Sequence, residues 1–123
     1  RYRTSRLLER GEADLLLWVA SLGVQALPAA LAPDTPAIVL GHPALAGEIA
    51  ARGASTVFVP VATPGIDAGG HLFRIDGTVV LPITAARQAS PADALALHPV
   101  ADVLARLGTR VAALAATPPG AIA

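Results

Sequence analysis

The chain has no cysteine and no methionine among its 123 residues. The lack of cysteine excludes disulfides, thiolate zinc sites, iron–sulfur clusters and a thiol nucleophile on this chain. Lysine is also missing: all nine basic residues are arginine, they balance nine acidic residues, and they are scattered along the chain. Because this pattern contains no basic stripe with interleaved aromatic residues, nucleic acid is not an expected partner.

Long hydrophobic runs are missing as well. None of the runs, Leu15 to Ala20 included, comes near the roughly 20 apolar residues that span a bilayer, so no membrane segment is expected. The chain begins with Arg1, and no charged segment followed by an apolar one opens it, so the sequence does not predict a signal peptide. We therefore expect a cytoplasmic protein and interpret the chain as a piece of a larger subunit.

Apolar residues, in contrast, are abundant. They make up 54% of the chain, which is enough for one domain with a buried core. We place that domain at residues 1–116 and expect residues 117–123 to form a loose tail. Charged residues make up only 15% and the mean hydropathy is +0.59. These two values indicate a surface that is buried against partners.

Three apolar runs predict the strands of a parallel sheet. Ala13 to Ser21 is nearly continuous, as expected of a strand that is covered on both faces. Ala37 to Gly41 and Ser55 to Pro60 are shorter and rich in β-branched residues. Between the last two, Pro43 to Arg52 has helical apolar spacing and Gly53 suits the helix end. Strand, helix and strand so closely joined predict a right-handed βαβ unit.

Further helices are predicted near both ends. Thr4 to Gly11 has a cap candidate, an apolar pair and a terminal glycine, which together indicate a short helix. Near the other end, Ser90 and Pro91 suit the start of a helix that continues to Val111, either as one helix or as two broken at Pro99. His98, next to that proline, is expected at the surface.

A hairpin is predicted after a loop of small residues. Leu72 to Ile75 and Thr78 to Leu81 flank the pair Asp76 and Gly77, which suits a two-residue type I′ turn. The fold class is therefore α/β: a Rossmann-like parallel sheet with flanking helices and a C-terminal β-hairpin excursion.

Candidate ligand-binding residues lie where the predicted strands end, because open α/β sheets bind ligands at that edge. The turns at Ser21 to Gly23, Gly41 to Pro43 and Pro60 to Pro64 meet there and suit phosphate or pterin. The same residue types also serve ordinary turns, which leaves both interpretations open. Neither a G-x-G-x-x-G nor a P-loop motif occurs.

The hairpin region holds the densest set of ionisable residues: Asp67, His71, Arg74 and Asp76. In one interpretation Asp67 and Arg74 contact a polar ligand or a neighbouring subunit. In the other, which we prefer, Asp67 satisfies N–H groups of the loop and Asp76 serves the turn. No spacing of the histidines predicts a metal site. The single tryptophan, Trp18, is expected in the core.

Three stretches resemble one protein family: Gly11 to Ser21, Val57 to Pro60 and Thr63 to Gly77. They are similar to the C-terminal part of the B subunit of formylmethanofuran dehydrogenase, and closest to its bacterial version in the formyltransferase/hydrolase complex of methylotrophs. The resemblance covers nearly the whole chain and implies a molybdopterin-oxidoreductase-like domain.

For the archaeal dehydrogenases the resemblance implies a tungsten or molybdenum pterin cofactor. The corresponding, vestigial pterin site would comprise Ser21, Gly41, His42, Gly69, Gly70, His71 and Arg74. Gly69 to Phe73 departs from the G-T-x-x-N pattern of molybdopterin oxidoreductases, and we expect no cofactor, no metal and no catalytic residue on this chain.

For the bacterial complex the resemblance implies a scaffold. Its partners would be an amidohydrolase-like A subunit, on which zinc is expected, a C subunit and a formyltransferase D subunit. That complex moves a formyl group from tetrahydromethanopterin to methanofuran and hydrolyses it to formate. Whether the chain belongs to an enzyme in its own right stays open. The alternatives are the pterin-binding domain of an oxidoreductase and, less favoured, an independent small-molecule binding module.

Overall fold

The computed structural model describes residues 3–74, 76–87 and 97–116. The chain forms three α-helices, five β-strands and two 3₁₀ turns within these ranges. In chain order these are α1 (Thr4–Glu9), β1 (Leu16–Ala20), β2 (Ala37–Gly41), a 3₁₀ turn (Pro43–Leu45), α2 (Ala46–Ala50), a second 3₁₀ turn (Gly53–Ser55), β3 (Thr56–Pro60), β4 (Gly70–Phe73), β5 (Val80–Ile83) and α3 (Val100–Ala115).

Strands β1, β2 and β3 form a parallel sheet in that order. Their last residues, Ala20, Gly41 and Pro60, lie at one register position. The predicted parallel sheet is confirmed, and β2 has the predicted bounds. Strand β1 is shorter than predicted at both ends, and β3 begins one residue later than predicted. The mixed α/β character of the chain is confirmed as well.

One face of the sheet carries the larger part of the core. Because side chains alternate along a strand, Leu16, Trp18 and Ala20 share this face of β1. The chain between β1 and β2, the 3₁₀ turn after β2, and helices α1 and α2 supply the residues that pack against it, among them Leu31, Leu45 and Ile49. Trp18 is half-buried and packs against two clusters of this face, which confirms it as a core residue.

Short helices lie where the apolar spacing predicted them. Helix α1 is followed, after Arg10, by a glycine in the left-handed region, Gly11 with φ 64°, whose N–H donates to the Leu8 carbonyl (3.1 Å). The helix predicted between β2 and β3 is divided into a 3₁₀ turn and α2. Gly53, at the predicted end of that segment, has φ 70°.

The opposite face of the sheet is covered by α3. Leu40, Val61 and Val103 form a buried cluster there, with Val59 and Leu107 packed against it. β1 is left open on this face, where Leu17 and Val19 are 47% and 43% exposed. The prediction that the first strand is covered on both faces is therefore wrong, because within the described residues α3 is seated on side chains of β2 and β3.

Helix α3 begins directly after Pro99; one of the two predicted arrangements, two helices broken at Pro99, places a helix start there. His98 is exposed, as predicted, and its carbonyl accepts the N–H of Ala62 (2.9 Å). The predicted helix start at Ser90 and Pro91 and the predicted tail lie outside the described residues. No helix in the described ranges is both long and apolar enough to cross a membrane.

Strands β4 and β5 form the predicted hairpin, with Leu72 opposite Leu81 and Phe73 opposite Val80. The turn differs from the prediction: a type I′ turn needs positive φ at Asp76 and Gly77, and only Gly77 has it (φ 69°). Both strands consequently lie farther from the turn than predicted: β4 begins two residues before its predicted start, at Gly70, and β5 begins two residues after its predicted start, at Val80.

The turn differs because a side chain closes it. The Asp76 carboxylate accepts the N–H of Thr78 (3.1 Å) and its hydroxyl (2.8 Å), which holds the backbone beyond the Asp-Gly pair. The Gly77 N–H donates to the Arg74 carbonyl (2.7 Å), and the Arg74 N–H donates to the Val79 carbonyl (3.0 Å).

Replacing Gly108 by alanine is expected to stabilise the chain by about 0.5 to 1 kcal/mol, because glycine inside a helix is less favourable than alanine by roughly that amount. A Cβ at Gly108 of α3 meets nothing within 4 Å, so no clash offsets the gain. Urea unfolding followed by circular dichroism measures the change.

The matched control is Gly53→Ala, at a position with equal space but a φ of 70°. Because alanine is disfavoured in that region, this variant is expected to lose stability. A loss at Gly108 would contradict its placement in an open helix interior.

Candidate functional site

Three turns meet at the carboxyl edge of the parallel sheet. The His42 N–H donates to the Ala20 carbonyl and the Val61 N–H donates to the Gly41 carbonyl, both at 3.0 Å, so the ladder continues to the strand ends. Ser21 follows the same register position on β1. The structure therefore brings Ser21, Gly41 and His42 to one edge, as the parallel arrangement predicted.

His42 has a structural task at this edge. It precedes the 3₁₀ turn that begins at Pro43, and its Nδ1 accepts the N–H of Ala44 (3.1 Å). In the neutral imidazole this assigns the proton to Nε2. His42 thus caps the turn through one nitrogen and keeps a donor on the other.

Gly41 is buried, and its lack of a side chain serves packing. A Cβ there would lie 2.9 Å from Leu45 Cδ1 and 3.2 Å from Phe58 Cε2. Both neighbours belong to the core face of the sheet. The space beside Gly41 is therefore filled by protein side chains.

The loop that follows β3 folds onto its own backbone. The Thr63 carbonyl accepts the N–H groups of Ile66 (3.1 Å), Asp67 (2.9 Å) and Ala68 (3.3 Å), and Thr63 itself is buried. In return the Thr63 N–H donates to Asp67 Oδ2 (3.1 Å). The preferred interpretation of Asp67, as a residue that satisfies loop N–H groups, is confirmed.

Sequence reasoning missed the second partner of Asp67. Arg87 donates to Asp67 Oδ1 from its Nη2 (2.8 Å) and its Nε (3.2 Å). The Ala86 N–H donates to the Gly65 carbonyl (3.2 Å), and the Arg87 N–H donates to the Ile66 carbonyl (2.8 Å). We call this set of contacts the loop clasp. It ties the chain that enters the hairpin to the chain that leaves it.

The clasp changes the acidity of its carboxylate. The Arg87 guanidinium, followed by the Thr63 N–H, lowers the pKa of Asp67 below its ordinary value. The Asp67 side chain is 13% exposed and that of Arg87 is 61% exposed. Because one partner is largely in water, solvent screens much of the attraction.

Replacing Asp67 by asparagine is expected to cost about 1 kcal/mol of unfolding free energy at pH 7, since a charged hydrogen bond is lost at a partly screened site. A lowered folded-state pKa contributes stability above the unfolded-state pKa, near 3.9, and loses it as the pH falls through the folded-state value. The difference between wild type and variant should therefore shrink below about pH 4. Urea unfolding at pH 7, 5 and 3 measures it.

Asp34→Asn is the control for this effect. Asp34 is exposed and makes no side-chain hydrogen bond or ion pair within the described residues. Its replacement should leave the stability unchanged at each pH. A cost for Asp67→Asn that is as large at pH 3 as at pH 7 would contradict the assignment to the ion pair.

The other predicted site residues lie at the hairpin. Gly70 and His71 belong to β4, opposite Ile83 and Pro82, and His71 is exposed. A Cβ at Gly69 would lie 3.2 Å from the Ile83 carbonyl oxygen, so the strands approach closely there.

Arg74 is engaged within its own turn. Its guanidinium donates to both oxygens of Asp76 and, from Nη2, to Thr78 Oγ1 (3.2 Å). The guanidinium in turn holds the pKa of Asp76 well below its usual range. Asp76 serves the turn, as the preferred interpretation had it.

The predicted site residues thus form two groups. Within the described part of the chain, no side-chain hydrogen bond joins His71 or Arg74 to Ser21, Gly41 or His42. The described residues also contain no group of three or more histidine, aspartate or glutamate side chains that could hold a metal ion.

Comparison with known proteins gives an informative likeness. No family model matches the chain, and no curated protein matches it. A solved structure does: the crystal structure of the formyltransferase/hydrolase complex from Methylorubrum extorquens in complex with methylofuran. The TM-score is 0.67 at 26% sequence identity, over 95% of this chain. The chain is similar to a component of that complex.

The aligned region makes up 30% of the neighbour's chain, so the present chain spans less than a third of it. This likeness agrees with the predicted resemblance to a component of the formyltransferase/hydrolase complex. Which component of the complex the chain corresponds to, the B subunit by our expectation, stays a prediction.

Proposed function

We propose that this chain is a non-catalytic, structural part of the B subunit of a formyltransferase/hydrolase complex. The observation that carries the proposal is the likeness to a component of such a complex over 95% of the chain. The complex would transfer a formyl group from formyl-tetrahydromethanopterin to methanofuran and release formate.

The non-catalytic role is supported by what the polar side chains already do. His42 caps a turn through Nδ1, the Asp67 carboxylate is bound by Arg87, and Arg74 is bound to Asp76. These contacts stabilise loops of the chain itself. Catalytic groups, in contrast, have to be within reach of a reacting atom.

Proposed partners are the other subunits: the amidohydrolase-like A subunit, with its zinc, the C subunit and the formyltransferase D subunit. The similar structure is a multi-subunit assembly, which supports hetero-oligomeric partners in general. Low charge and exposed apolar side chains on this chain agree with burial against other chains. A cytoplasmic location is part of the proposal.

The alternative is the pterin-binding, molybdopterin-like domain of a formylmethanofuran dehydrogenase. It is favoured by the meeting of Ser21 and His42 at the edge where open α/β sheets bind ligands. The residues present do not fit the cofactor well, because protein side chains fill the space beside Gly41 and Arg74 is held within its turn. We therefore rank it second.

The test is reconstitution of the complex. The full subunit that contains this chain would be co-expressed with the A, C and D subunits and purified through a tag on D. The expected result is stoichiometric co-purification, seen by native mass spectrometry, with formyl transfer and without stoichiometric tungsten or molybdenum. Failure to co-purify contradicts the proposal. Bound tungsten or molybdenum together with formate-linked viologen reduction supports the alternative.

A further inference from the structure

We draw no further inference here: the strongest candidate, the surface patch of exposed apolar side chains on the β4–β5 hairpin, with Leu72 and Leu81 on one face and Phe73 and Val80 on the other, carries none because nothing in the structure shows what covers it.

Discussion

Replacing Leu40 by alanine is expected to lower the free energy of unfolding by about 3 kcal/mol, within the range of about 2 to 5 kcal/mol that buried leucines show. Leu40 is 0% exposed, lies in the central strand and contacts the cluster formed with Val61 and Val103 of α3. Truncation leaves a cavity between sheet and helix, and two neighbouring strands keep the backbone from closing it.

Urea unfolding followed by tryptophan fluorescence and by circular dichroism measures the loss, since Trp18 reports on β1 and the far-ultraviolet signal reports on the helices. Leu22→Ala, at a residue that is 73% exposed, is the control and should change the stability by less than about 0.5 kcal/mol. If the two variants differed by less than about 1 kcal/mol, α3 would not be packed on this face.

The strands could be predicted because they are buried. A strand inside a parallel sheet appears in the sequence as a continuous apolar run, and the run Ala37 to Gly41 has the bounds of β2 itself. The first run, Ala13 to Ser21, extends beyond β1 at both ends: Asp14 and Leu15 are exposed and, like Ser21, lie outside the ladder of β1. Burial determines where apolar residues occur in the sequence, whereas hydrogen bonding determines where each strand begins and ends.

Coverage of the sheet could not be predicted in the same way. Leu17 and Val19 are as apolar as the buried residues of β2, yet they remain exposed on the α3 face. A sequence shows which side chains are apolar, but it does not show which element of the fold covers them. The same holds for the hairpin. Its sequence shows apolar side chains on both faces, but it does not show whether those faces are exposed or covered.

The clasp shows a second limit of sequence reasoning. Asp67 was assigned correctly to its own loop because its partner Thr63 lies four residues away. Arg87 lies 20 residues from Asp67, on the far side of the hairpin, and only pairing of β4 with β5 brings it back. Local contacts follow from residue type, whereas this ion pair follows from the fold.

The strand edge illustrates the difference between position and role. Parallel register was sufficient to place Ser21, Gly41 and His42 together. It did not reveal that His42 Nδ1 is bonded to the Ala44 N–H, nor that the space beside Gly41 is filled. Gly41 is the residue at which the structural and the ligand-binding interpretations predict different results.

Replacing Gly41 by valine is expected to cost about 2 kcal/mol of unfolding free energy, as overpacking in a buried site does. The added Cβ would lie 2.9 Å from Leu45 Cδ1, and Leu45 is 1% exposed, so it has no free space to move into. Gly23→Val is the matched control, since a Cβ at Gly23 meets nothing within 4 Å. Urea unfolding of both variants measures the cost. A glycine that admits a cofactor would instead tolerate valine without loss of stability, and only ligand binding would suffer. A stable Gly41→Val chain would therefore contradict the packing role and favour a ligand at the strand edge.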